Sequence, residues 1–229
     1  MGEKKKKEAS QNRWKKVLFV IAAVLFVFVM VISSMGSQWI TGLAPIKPGD
    51  TVVLDYTLYD AAGTPLLTTD SVLYEQMYSK GGSILYAKQL TMTANQSLKT
   101  AIYPIPVYIA ENGGNYEEFA LYNPEYNAIS SALVGMRTNE KKKVSLTSGI
   151  SMSKLFSSES LMAGNVNMST LAVGDILAMG VSESSNATAS NNSVTYIRLA
   201  EVTRITDSGA VIDFGYPSAE ITVSSFKST

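Results

Sequence analysis

The stretch that decides the fold is Ile46-Lys-Pro-Gly-Asp-Thr-Val-Val-Leu-Asp-Tyr-Thr-Leu-Tyr-Asp-Ala-Ala-Gly-Thr-Pro-Leu-Leu67. From Thr51 to Tyr59 the side chains follow a two-residue period, which is typical of a strand with one buried face. We expect that face to carry Val52, Leu54, Tyr56 and Leu58. Asp60-Ala-Ala-Gly63 has the composition of a tight turn, because glycine supplies the positive φ that a chain reversal often needs. The stretch therefore predicts a half-buried strand that ends in a turn.

Two further regions carry a regular pattern. Ala128 to Met136 places apolar residues at spacings of four and three, which predicts a short helix with Asn127 as its N-cap. A strand over Val144 to Leu146 follows, and Glu220 to Phe226 is predicted to return to the first sheet.

These segments, taken in order, resemble the FKBP-type peptidyl-prolyl isomerases. The family pattern Lys-x-Gly-Asp-x-Val-x-Val-x-Tyr-Thr-Gly-x-Leu-x-Asp-Gly-x-x-Phe-Asp is similar to Ile46 to Leu67, and Ala132-Leu-Val-Gly-Met136 resembles the end of the family's helix. Val211-Ile-Asp-Phe214, followed by Gly215-Tyr-Pro-Ser-Ala219, is similar to the run with which archaeal and bacterial members leave an insert-in-flap chaperone domain. The resemblance covers about half of the chain.

The resemblance implies an α+β fold. We expect an antiparallel, FKBP-like half-barrel with a short helix, formed by residues 41–146 and 219–229, with an inserted mainly-β lobe over 147–218. Residues 68–126 interrupt the half-barrel with eight of the 12 tyrosines. Those tyrosines could pack in the core and at its rim or form a stacking surface for a ligand, and packing is the commoner use. Tyr103 to Ile109 could be an edge strand, where its prolines are tolerated.

The resemblance also implies a substrate pocket, which this chain keeps only in part. Family members lower the barrier of about 18 to 20 kcal/mol for X-Pro rotation by taking the amide out of water in an apolar pocket. When the family pocket is carried over residue by residue, its strand tyrosine is present in this chain. The family's Phe-Asp pair, its residue at the pocket floor, its flap aromatic and the Phe of its last strand are all replaced. The positions so implied are Tyr56, Leu66, Leu67, Tyr126 (through its backbone donor), Ile129 and Ile221, with Thr147-Ser-Gly-Ile150 in place of the flap. The same side chains could instead be half-barrel core.

The N-terminus predicts a membrane anchor. Seven of the 19 basic residues lie in the first 16 positions, and 12 basic against 17 acidic residues remain in the rest of the chain. A helix over 17–40 would have 24 residues and span about 36 Å, enough for a hydrocarbon core of about 30 Å. Basic flanking residues stay in the cytoplasm, so we expect residues 1–16 there and residues 41–229 outside. A cleaved signal peptide, with Ser34-Met-Gly36 as cleavage site, is the alternative.

The absent residue types narrow the chemistry. The chain has no His and no Cys, which excludes disulfides and the nucleophile machinery that depends on those side chains. We expect no cofactor and no metal, because Asp55, Asp60 and Asp175 are isolated in the sequence. The acidic remainder argues against a nucleic-acid partner. Asn95, Asn167, Asn186 and Asn191 begin N-glycosylation sequons, a number close to chance.

Three functions fit this sequence. The first is a membrane-tethered foldase or chaperone for exported proteins, an isomerase by resemblance with weakened catalysis, whose partners are unfolded or extended polypeptides. The second is a catalytically inactive FKBP-fold scaffold that serves as an accessory subunit of a larger membrane complex. The third is a simple envelope protein without a client. X-Pro isomerisation distinguishes the first from the second, as does stoichiometric co-purification with partners.

Overall fold

The computed structural model describes residues 3–34, 44–109, 115–146, 152–182 and 195–228. The chain divides into two compact units, Met1–Ala44 and Pro45–Thr229. The predicted flap residues 147–150 and two of the sequons, at Asn186 and Asn191, lie outside the described residues.

The first unit contains one helix, α1 (Glu3–Ser34). It begins well before the predicted residue 17, because the Lys, Glu, Ala and Gln residues of the tail are good helix formers. The side chains of residues 17–31 are all exposed, and the predicted residues 35–40 lie outside the described part of the chain. Among the described residues, no helix combines the length and apolar character that a membrane span requires.

The second unit has an α+β fold whose strands form a curled half-barrel of mixed direction. Its helices are α2 (Ser71–Tyr78), α3 (Asn123–Ala132) and α4 (Ser158–Ala163). Its strands are β1 (Thr51–Tyr59), β2 (Pro65–Thr68), β3 (Leu85–Ala87), β4 (Leu90–Thr93), β5 (Ile102–Ile109), β6 (Asn115–Tyr122), β7 (Lys141–Ser145), β8 (Ser153–Ser157), β9 (Ile176–Val181), β10 (Tyr196–Thr206), β11 (Gly209–Asp213) and β12 (Ser218–Lys227).

The strands form one continuous sheet in the order β7-β12-β1-β2-β3-β5-β6-β10-β11-β8. β4 lies beside the first half of β1, and β9 lies beside β10. Most neighbours are antiparallel, but β2 and β3 run parallel, as do β6 and β10. The predicted half-barrel is therefore confirmed. The predicted antiparallel arrangement holds for most of its strands but not for these two parallel pairs, which the sequence pattern did not indicate.

The predicted first and last strands are confirmed. β1 has the predicted bounds, and its four inward residues are at most 2% exposed. β12 pairs antiparallel with β1, from Thr51 opposite Lys227 to Tyr59 opposite Ser218. In the predicted turn, Gly63 has a φ of 81°, and the Thr64 amide donates to the Asp60 carboxylate at 2.7 Å.

Helix α3 begins earlier than predicted, at Asn123 instead of Ala128. Tyr122, not Asn127, precedes its first turn, and its backbone N–H donates to the Glu125 carboxylate at 2.9 Å. This contact is half of a capping box, which the Glu at the third helical position makes possible. The helix also ends earlier than predicted, at Ala132, so of the predicted apolar face only Ile129 lies on it, whereas Leu133 and Met136 are buried beyond its end.

Strand β5 is not the edge strand that its prolines suggested. It pairs with β6 along its whole length and with β3 at Val107 and Tyr108. Pro104 and Pro106 are exposed and lie on the part of β5 that β3 does not cover. On this side the Pro106 carbonyl accepts a hydrogen bond from the Lys88 amide at 3.2 Å, which requires no proline N–H, so the missing N–H groups are tolerated there.

Two clusters of buried side chains stabilise the sheet. The larger contains the inward residues of β1, β12 and α3. The smaller lies within the predicted inserted lobe and consists of Leu161, Ala200, Val202, Ala210, Ile212 and Phe214. Leu199 and Tyr216, from the same sequence region, belong to the larger cluster. The predicted boundary of an independent lobe at 147–218 stays a prediction.

Candidate binding site

The side chains of the six predicted pocket residues lie together in the interior of the half-barrel. All belong to the larger core cluster, and none is more than 6% exposed: Tyr56, Leu66, Leu67, Tyr126, Ile129 and Ile221. Tyr56 and Ile221 are paired across β1 and β12. The structure thus brings the predicted residues together, but as packed core.

The polar atoms of this group are also occupied. The Tyr56 hydroxyl donates to the Lys88 carbonyl at 3.4 Å, and burial raises the pKa of Tyr56 above its ordinary value. The ring of Tyr126 lies 5.1 Å from that of Tyr103. The backbone N–H of Tyr126 was predicted to face a substrate. Tyr126 is the fourth residue of α3, where helix geometry directs the N–H to the carbonyl of the N-cap residue Tyr122 and not to a substrate.

A cleft lies elsewhere, where the curl of the sheet brings α2 and the loop after it opposite β9 and β10. Its volume is about 510 Å³, within the range of about 300 to 1,000 Å³ found for ligand pockets. Three tyrosines and two glycines form its walls, and four aliphatic residues its floor: Tyr74, Tyr78, Tyr108, Gly81 and Gly82, and Ile176, Ala178, Ile197 and Leu199. No predicted pocket residue lines this cleft.

The floor of the cleft follows from the ladder between β9 and β10. Leu199 is the partner of Ala178, and residues two apart on a strand share a face. Ile176, Ala178, Ile197 and Leu199 therefore lie on one face of this two-stranded ribbon. Gly180 continues it, and a Cβ there would lie 2.9 Å from the Thr195 methyl group.

The tyrosine-rich segment contains both packed and exposed rings. Tyr103 and Tyr126 pack together, and Tyr126 is buried. Tyr74 and Tyr78 stack with their ring centroids 5.6 Å apart and line the cleft, where Tyr78 remains 47% exposed. A second cavity, of about 490 Å³, includes Tyr116, whose ring lies 4.2 Å from the Lys88 ammonium group.

Arg198 and Glu125 form a buried ion pair that the sequence pattern did not predict. The two side chains are 0% and 1% exposed, with Nη2 to Oε1 at 2.5 Å and Nη1 to Oε2 at 3.0 Å. Arg198 also donates from Nε to the Phe214 carbonyl at 2.7 Å and from Nη1 to the Ala120 carbonyl at 2.5 Å. The feature of the sequence that could have predicted this ion pair is the single arginine between apolar residues in Tyr196-Ile-Arg-Leu-Ala200.

Aromatic rings enclose the guanidinium group. Its central carbon lies 4.2 Å from the ring centroids of both Tyr122 and Tyr216. Burial lowers the pKa of Arg198, but the charges of Glu125 and the nearby tyrosines outweigh this effect and raise it. Burial raises the pKa of Tyr216, whose hydroxyl donates to the Leu199 carbonyl at 2.8 Å. Every polar atom of the pair is satisfied within the protein, so its role is structural.

The remaining predicted sites lie at the surface. Asn95 and Asn167 are exposed, and the Asn167 side chain accepts from the Ser169 amide at 3.0 Å. Across the described ranges, no three acidic side chains come close enough to hold a metal ion. No known family profile matches the chain, and a search of curated proteins finds no match.

Proposed function

We propose that the protein is a membrane-tethered, FKBP-like module outside the cytoplasm that binds polypeptides and has lost most or all prolyl isomerase activity. The observation that carries this proposal is the burial of all six pocket positions, none above 6% exposed. An X-Pro amide has to enter an apolar pocket to lose its hydration. At these positions the space is already filled by the protein's own side chains.

Opening the pocket would be costly. A bound proline would have to displace core side chains such as Ile129 and the Tyr56 ring, both packed in the larger cluster. Truncating a buried residue of this size typically costs about 2 to 5 kcal/mol, which indicates the energy at stake when such packing is disturbed. Binding without catalysis does not need this rearrangement.

Exposed apolar side chains in the region 152–205 support polypeptide binding. Leu155, Met162 and Val173 are 56%, 60% and 62% exposed, and Ile205 is 39% exposed. The partner is an unfolded client in the foldase version of this proposal and a fixed subunit in the scaffold version. The location outside the cytoplasm rests on the basic residues before the apolar segment.

The test uses the full chain in mild detergent. In an X-Pro refolding assay we expect no acceleration above the uncatalysed rate. In a client-aggregation assay we expect protection, weakened by Leu155→Ser and unchanged by the control Val72→Ser, whose side chain is similarly exposed at 60%. Isomerase activity at the level of ordinary family members would refute the proposal. Co-purification with stoichiometric partners would select the scaffold version over the transient chaperone.

The membrane location has its own test. Protease added to spheroplasts should digest the region after Gly42 and spare the first 16 residues. Protection of the C-terminal region would overturn the proposed topology.

A further inference from the structure

The chemistry of the tyrosine cleft restricts what it can bind. Among the described residues that line it, none has a charged side chain, although the chain after residue 16 carries 12 basic and 17 acidic residues. A charged ligand group would lose its hydration there without gaining a partner, which is unfavourable. The aliphatic floor and the tyrosine rings favour apolar side chains, whereas phenol hydroxyls and loop backbone can hydrogen-bond to neutral polar groups.

The cleft also borders an open edge of the sheet. β9 hydrogen-bonds to β10 on one side, and no other described strand pairs with it. The outer backbone groups of β9 therefore form a row that can pair with an additional strand. Ile176 and Ala178, which line the cleft, lie on this strand. The glycine loop at 81–82 lines the same cleft, so the cleft is the gap between this loop and the edge of the sheet.

We propose that this cleft is a polypeptide-binding site in addition to the exposed apolar side chains around Leu155, and that it takes an uncharged, extended segment as an added strand along β9. Main-chain hydrogen bonds to β9 supply sequence-independent affinity, and alternate side chains of the segment enter the cleft between the tyrosines and the aliphatic floor. The proposal rests on the polypeptide-binding function proposed above and places it away from Tyr56 and Ile129.

Ala178 provides a sharp test. Its side chain is exposed in β9 and points into the cleft, so Ala178→Arg introduces bulk and charge without disturbing the core. The matched control is Thr203→Arg, at an exposed position on the neighbouring strand β10 that does not line the cleft. The probe is a fluorescein-labelled peptide of about eight residues with alternating valine and serine, the length of an ordinary strand.

Fluorescence polarisation with the full chain in mild detergent gives the result. We expect Ala178→Arg to weaken probe binding by about tenfold or more, and Thr203→Arg to change it by less than about twofold. Two further probes are N-methylated at alternate residues, one at the odd and one at the even positions. One of the two should bind about tenfold more weakly, because its methyl groups block the amides that face β9. Equal binding by all probes and variants, or no binding by the wild type, would overturn the proposal.

The aggregation assay separates this proposal from the function on which it rests. If the wild type and Ala178→Arg protect a client equally well, the cleft takes no part in client binding, while the polypeptide-binding function stands. If the wild type neither protects a client nor co-purifies with a partner, the proposed function fails, and the peptide titration alone then decides whether the cleft binds an extended segment.

Discussion

Replacing Arg198 by methionine tests how the half-barrel is held to the strands that follow it. Arg198 lies on β10, whereas its partners Glu125 and Ala120 lie on α3 and β6. β10 and β6 share a single bridge, between Ile197 and Phe119. The ion pair is therefore a main connection at a junction with little strand pairing, and we expect Arg198→Met to be strongly destabilising.

The magnitude follows from the burial of the pair. Methionine retains much of the aliphatic packing but removes four hydrogen bonds, from Nε, Nη1 and Nη2. It also leaves the Glu125 carboxylate 1% exposed beside the Tyr122 amide, its remaining donor. Removing one partner of a buried pair typically costs about 3 to 5 kcal/mol, because the other charge stays buried without compensation. We expect a loss of stability in this range.

Denaturant unfolding of the full chain in mild detergent, followed by near-UV circular dichroism, measures the loss. The control is Arg204→Met, an exposed arginine on the same strand, for which we expect a change within about 0.5 kcal/mol. Adding Glu125→Gln to Arg198→Met should restore part of the stability by removing the orphaned charge. If Arg198→Met and Arg204→Met were equally stable, the ion pair would not be the structural connection described here.

Three further predictions concern the core and the lobes. Burial raises the pKa of Tyr56 and of Tyr216 above the ordinary 10.0, so the folded state retains these protons more strongly than the unfolded state. Their contribution to stability is complete below pH about 10 and is lost as the pH rises further, and thermal melts of Tyr216→Phe should show a weaker alkaline decline than wild type. Ile129→Ala should lower the free energy of unfolding by about 2 to 5 kcal/mol and leave X-Pro refolding rates unchanged; an altered rate would instead identify a working pocket. Replacing 147–218 by a short loop removes Arg198 and leaves the Glu125 charge without its partner. We therefore expect cooperative unfolding of the remaining half-barrel only when the deletion is combined with Glu125→Gln. A deletion variant that retains Glu125 and still unfolds cooperatively would contradict this.

Local periodicity explains which elements were predictable. β1 and β12 combine a two-residue period with one buried face, and this pattern alone determines a strand and its inward side. The start of α3 was missed because its cap comes from the Tyr122 backbone and the Glu125 side chain. Helix boundaries of this kind depend on one or two local hydrogen bonds, which apolar spacing does not reveal.

The site could be predicted less well, because it depends on contacts between distant parts of the chain. Arg198 and Glu125 are 73 residues apart, and neither residue type is expected in a core on its own. The cleft requires the curl of the sheet to bring Tyr78 opposite Ala178. The resemblance selected residues around Tyr56 that are all buried, but it could not show that their side chains pack together as core.

The distribution of the tyrosines connects the filled pocket with the open cleft. A phenol ring has an apolar body and a polar tip, so it can complete a core or present a surface to a ligand. Tyr126 lies in the core at the position where the resemblance placed a substrate, whereas Tyr78 is 47% exposed in the cleft beside the edge of β9 that no described strand covers. Recognition through ring faces and main-chain hydrogen bonds needs no proton transfer, and a chain without His or Cys retains all the groups required for it. Under the proposed function, this fold has lost the catalytic pocket and binds an extended polypeptide at the cleft.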